Sequence, residues 1–145
     1  MSFVVRIAVG IVLVILYAFD QHLVGSNLAP IKHLKTADRS AFLTVAIMAV
    51  VGAPLIEETF FRGLLMRSLL SRWPVAPAVA TQAVLFGLCH MSPLYGLGNV
   101  GLALGIATVG LILGLLACRY RRLGPGMWTH AFFNAMSVLA LLAAR

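Results

Sequence analysis

Five long apolar runs, parted by short polar breaks, organise the chain. The first, Phe3 to Phe19, carries Arg6 near its start and runs directly into Asp20 and Gln21. It lies where a signal peptide would, yet no small-x-small cleavage site closes it, so it reads as an uncleaved, rather short span. Gln21 to Ser40 is the longest polar connection, with Gly25, Ser26, Asn27, Pro30, Lys32, Lys35 and Arg39, and reads as a loop plus an interfacial stretch. The second run, Ala41 to about Leu70, is interrupted by Pro54, Glu57, Glu58 and Arg62. At about 1.5 Å per residue it is long enough to cross a bilayer and protrude, and Pro54 should kink or restart it. Arg67, Arg72, Trp73 and Pro74 end it at an interface. The third run is Val75 to Met91, followed by a turn containing Gly and Pro over Ser92 to Asn99. The fourth, Val100 to Cys118, is uncharged and is broken by Arg119, Arg121, Arg122, Gly124 and Pro125. The fifth is Met127 to Ala144. None of these runs alternates as barrel strands do. The pattern predicts an all-α integral membrane protein, a bundle of about five transmembrane helices forming one domain over residues 1–145. The span 3–19 and loop 20–40 precede a core at about 41–144.

Composition excludes the main alternatives. Of 145 residues, 61% are hydrophobic and 10% are charged, and mean hydropathy is +1.01. Soluble domains carry about 25% charge. So small a globule cannot hide that much apolar surface, and disorder needs the opposite composition. Net charge is +7. The basic residues fall between apolar runs, at the level of lipid headgroups, which argues for a bilayer partner and against nucleic acid. One face collects Arg6, Arg67, Arg72, Arg119, Arg121 and Arg122, and the other Lys32, Lys35, Arg39 and Arg145, a lean toward a cytoplasmic N-terminus. Cys89 and Cys118 both lie in apolar runs and read as buried packing thiols rather than a disulfide. Gly101-x-x-x-Gly105 and Gly110-x-x-x-Gly114 read as surfaces of close helix approach.

The informative residues are polar ones in apolar runs. Each charge near a bilayer centre costs on the order of 2.5–3.5 kcal/mol. Glu58 and Arg62 are spaced i,i+4, so an ion pair would lower that cost. It does not account for Glu57, which points about 100° away. A carboxylate beside another carboxylate is a common device for a general base. His90 ends the stretch Phe86-Gly-Leu-Cys-His90, and His130 and Asn134 stack one turn apart in the fifth run. Taken alone, each of these has a plain structural reading, as an interfacial histidine or a hydrogen-bonded helix contact. Counted from the arginine-bearing face at 1.5 Å per residue, however, Glu57, His90, His130 and Asn134 lie roughly 15, 20, 9 and 15 Å deep. Three helices therefore bring polar groups to a similar depth.

These residues also carry a family resemblance. Glu57-Glu58-Thr-Phe-Phe-Arg62 resembles the EExxxR motif of the CPBP (Abi/CAAX protease) family, Phe86 to His90 its FxxxH motif, and His130 to Asn134 its HxxxN motif, in the family's order. The resemblance implies a glutamic-type intramembrane protease, similar to a minimal bacterial member in a prokaryotic cytoplasmic membrane. It implies Glu57 as the principal base, His90 as a holder of the attacking water, His130 and Asn134 at the oxyanion, and Glu58 and Arg62 as shaping and charge-balancing residues. The chemistry is coherent, since amide hydrolysis requires a base, an oxyanion donor and an acid for the leaving nitrogen. No cofactor is implied and no H-E-x-x-H zinc motif is present, although two histidines and two glutamates could hold a metal. Well-studied members have more helices. The chain is therefore either a minimal core or one that completes its cavity as a homo-oligomer. The expected substrate is a membrane-associated protein or peptide, cut in CAAX-type or C-terminal sorting-signal processing. Two other readings stand beside it: a non-catalytic immunity or partner-binding membrane protein, and a small proton-coupled transporter.

Overall fold

The structure, a computed structural model, describes residues 38–91 and 98–143. The expected first span, most of the loop after it and positions 92–97 of the expected turn lie outside the described residues. Four helices follow one another: α1 (Arg39–Leu70), α2 (Val75–Leu88), α3 (Gly98–Tyr120) and α4 (Gly124–Ala143). There is no strand among the described residues. Helices α1, α3 and α4 are long and apolar enough to cross a membrane, and α2 is a shorter apolar helix. The protein is thus an all-α membrane protein, as the apolar runs predict.

Asp38 fixes the start of α1. Its carboxylate accepts the N–H groups of Ser40 at 2.8 Å and Ala41 at 3.0 Å, and the Ser40 hydroxyl at 2.7 Å. The Ser40 hydroxyl, then the two backbone donors, hold the Asp38 carboxyl below its ordinary value. This N-cap extends α1 two residues ahead of the expected Ala41. The effect of Pro54 is a change of hydrogen-bond register within a helix that runs on to Leu70. Two segments of α1, Met48–Gly52 and Thr59–Leu65, are π-helical. In the first, the Ala53 N–H reaches back to the Met48 carbonyl. Pro54 has no N–H to give. The Ala49 carbonyl therefore loses both of its in-helix donors.

Helix α2 starts after Pro74, and Pro77 sits in its first turn, where a missing N–H costs nothing. Its 14 residues span about 21 Å, short of a hydrocarbon core of about 30 Å. The helix ends three residues before the expected Met91, closed by N–H bonds from His90 to Gly87 and from Met91 to Leu88, both 3.1 Å. His90 thus lies in the turn just past the end of this short apolar helix. Gly124 and Pro125, expected as a break, instead form the first turn of α4. Arg121, between α3 and α4, has φ 53°, with its N–H on the Ala117 carbonyl at 2.9 Å. This left-handed closing position is usually given to glycine, and a side chain there costs roughly 1–2 kcal/mol.

Packing joins opposite ends of the chain. Phe42 and Ala46 of α1 meet Val138 and Leu141 of α4. A second cluster packs Phe61 of α1 and Phe86 of α2 with Leu102 and Ile106 of α3. The α2–α3 seam is close because glycines line it. A Cβ on Gly87 would collide with the backbone carbonyl of Ala103, and one on Gly110 would meet the Phe86 ring at 3.0 Å. Outward positions such as Ile47, Leu64, Leu104 and Phe132 are more than half exposed, as lipid-facing side chains are. The expectation of two buried thiols needs correction: Cys118 is half-buried, while Cys89 is exposed at the end of α2. The helix end turns that residue outward, whichever class its side chain belongs to.

Two variants test these features by thermal unfolding in detergent. Gly87→Ala forces backbone apart along the α2–α3 seam and should destabilise by about 1–3 kcal/mol. Arg121→Gly removes the left-handed strain and should stabilise by about 1 kcal/mol.

Candidate active site

At the centre of the bundle lies a fully buried carboxylate. Glu58 Oε1 accepts from Arg62 Nη1 at 2.8 Å and from His130 Nδ1 at 3.1 Å. Arg62 is 1% exposed and Glu58 0%, so this is an ion pair removed from water. The i,i+4 spacing supplies the geometry, as the sequence suggests, and the next helix supplies the rest. Arg62 Nη2 donates to the Gly110 carbonyl of α3 at 2.9 Å, and the guanidinium lies 4.4 Å over the Phe86 ring. Gln82, also fully buried, donates its amide to the same Gly110 carbonyl at 2.9 Å. Gly114 leaves the room that the Gln82 amide occupies.

Glu57, one residue earlier, faces a different space. Its Oε2 lies 3.6 Å from His90 Nε2 and 3.8 Å from His130 Nε2, and has no hydrogen-bond partner. Both gaps exceed hydrogen-bond length. The opposite nitrogens of both rings are already engaged. His90 Nδ1 lies 2.7 Å from the Phe86 carbonyl, which can only accept, so Nδ1 is the donor. His130 Nδ1 likewise donates to the Glu58 carboxylate. In the neutral rings each Nε2 therefore turns a lone pair toward Glu57. Three acceptors face one another across gaps that a small donor such as water would fill. Among the described residues, no three His, Cys, Asp or Glu side chains converge as a metal site does.

Five of the six residues singled out from the sequence thus come together: Glu57, Glu58, Arg62, His90 and His130. Asn134 lies one turn beyond His130, but its amide donates to the Ala49 carbonyl at 2.7 Å. That is the carbonyl orphaned by Pro54, so the asparagine ties α4 to the π segment of α1. Gln82, Gly110 and Gly126 were not foreseen. A Cβ on Gly126 would stand 3.0 Å from Glu58 Oε2, so its bareness lets the first turn of α4 close over that carboxylate. The positive end of the α4 dipole there favours the negative charge. The Gly110-x-x-x-Gly114 spacing pointed to close approach but not to the polar groups it admits.

Removing Arg62 leaves Glu58 buried without its cation. Arg62→Met should cost about 3–5 kcal/mol of stability. Adding Glu58→Gln in the same chain should recover part of it, read by thermal unfolding of both proteins in one detergent.

Comparison with known proteins agrees with this site. The Rce1-like family model, described as type II CAAX prenyl endopeptidase Rce1-like, matches residues 39–136. That range contains α1 to most of α4 and every candidate residue. Searches of curated proteins and of solved structures give no match. Such a match carries an activity class, a CAAX-type intramembrane endopeptidase that hydrolyses a peptide bond of a membrane-associated substrate. With its carboxylates and histidines set among membrane-spanning helices, the chain belongs to the Rce1-like family of type II CAAX prenyl endopeptidases.

Proposed function

We propose that the protein cleaves its substrate by glutamate-activated water, with Glu57 as the base. The observation that carries this reading is the Glu57 Oε2 atom, buried, unpartnered and faced by two imidazole Nε2 atoms. A water seated among them gives one hydrogen to Glu57 and the other to His90. Glu57 takes the first proton as the water oxygen attacks the peptide carbonyl carbon. The carbonyl oxygen becomes an oxyanion. In its doubly protonated form His130 donates from Nε2 to that oxyanion, while its Nδ1–H stays on the Glu58 carboxylate and orients the ring. Asn134 has two amide hydrogens, one on Ala49, and offers the second to the same oxyanion. The C–N bond then breaks, and Glu57 returns its proton to the leaving nitrogen, so the carboxylate is regenerated. Glu58 and Arg62 hold His130 in place and keep the local charge balanced.

The substrate we infer is a membrane-associated protein or peptide, cut close to its lipid-anchored or hydrophobic end. CAAX-type and C-terminal sorting-signal processing both fit that description.

The test compares protein termini by mass spectrometry in membranes carrying wild type or Glu57→Gln at equal abundance. Glu57 is part-exposed and outside the buried ion pair, so the variant should fold. Loss of a general base of this kind should slow cleavage by about 10²–10⁴-fold. New termini should therefore appear with wild type alone. Identical termini from both proteins refute the assignment of Glu57.

A further inference from the structure

A second polar feature lies outside this site. A cavity of about 360 Å³ opens where the end of α1, the start of α2 and the α3–α4 turn meet. Met66 and Leu70 give it apolar lining, and Arg67, Arg121 and Arg122 give it three cations. The buried Arg62 lines it as well, and the Nε–H of Arg62 has no hydrogen-bond partner. Among the described residues, no acidic side chain lines the cavity, and Arg67, Arg121 and Arg122 make no ion pair. Cations gathered without a counter-charge repel one another, and an anion between them reverses that cost. Arg121 is held there in a backbone conformation that favours glycine.

The surroundings identify the anion. Trp73, Tyr120 and Trp128 stand exposed at this end of the bundle, at 46%, 53% and 80%. Aromatic residues of this kind mark the headgroup level of a bilayer. Basic pockets between helices at that level suit lipid phosphates. The apolar lining fits the acyl end of the same molecule. We propose that this cavity binds the phosphodiester headgroup of an anionic phospholipid.

The experiment uses the full chain purified in a zwitterionic detergent. Thermal unfolding is followed on adding phosphatidylglycerol, phosphatidylcholine, or free glycerol 1-phosphate. Phosphatidylglycerol should raise the unfolding temperature, and the other two should not. In Arg67→Gln/Arg122→Gln, the concentration needed for the shift should rise roughly tenfold or more. Arg121→Gly, whose own backbone is relaxed, should also respond less than wild type. Native mass spectrometry should find phosphatidylglycerol retained by wild type and shed by the double variant. Equal shifts from the two lipids, or an undiminished shift in the double variant, overturn the proposal. A full shift from glycerol 1-phosphate alone overturns the lipid assignment in favour of a free-phosphate site. None of these readouts depends on cleavage, so they leave the assignment of Glu57 to its own test.

Discussion

A carboxylate and a guanidinium have been taken out of water at the middle of an apolar bundle, and much of the surrounding packing answers that fact. Neither charge could remain there alone. The pair is local in sequence, and other helices meet part of its remaining hydrogen-bonding capacity. His130 comes from α4, and the Gly110 carbonyl from α3. The Phe86 ring covers the guanidinium from α2. Each helix of the described core therefore has a polar or aromatic stake in the same ion pair. Helix association in a membrane has little hydrophobic drive of its own, so such shared polar contacts specify the arrangement strongly.

The two glutamates divide the work by direction. Adjacent on a helix, they point into different spaces. Glu58 Oε1 is held by two donors, whereas Glu57 Oε2 stands beyond hydrogen-bond reach of the two imidazole Nε2 atoms that face it. The first arrangement is a structural ion pair anchored through Oε1, with Oε2 left beneath Gly126. The second is a gap in which a proton-bearing small molecule is wanted. Helix α2 ends two residues before His90, which faces Glu57 from the turn that follows.

Much of this was legible in the chain. Glu58 and Arg62 could be paired from spacing alone, and the shared depth of Glu57, His90 and His130 could be counted along three apolar runs. Helix ends were read less well, because caps such as Asp38 and the Gly124–Pro125 start act through backbone geometry that hydropathy does not record. Cys89 was misjudged for a related reason: burial follows from which way a helix end turns, and a sequence run carries no such direction. Gln82 and Gly126 escaped notice, and Gly110 read only as a point of close approach, because their contribution is a carbonyl, an amide or an empty space. None of these has a charge to draw attention in an apolar run. The π segments depend on which N–H groups find which carbonyls, a choice made only when neighbouring helices are in place.

Pro54 and Asn134 stand 80 positions apart, yet one carbonyl joins them. In water, a carbonyl freed by proline would simply be hydrated. Within a bilayer that escape is closed, so a side chain from another helix is conscripted to serve it. An amide is planar, and anchoring one of its hydrogens to a fixed backbone atom sets the plane of the whole group. Its second hydrogen then has a bearing decided by α1 before any ligand arrives. A defect in one helix thus becomes an alignment device for another.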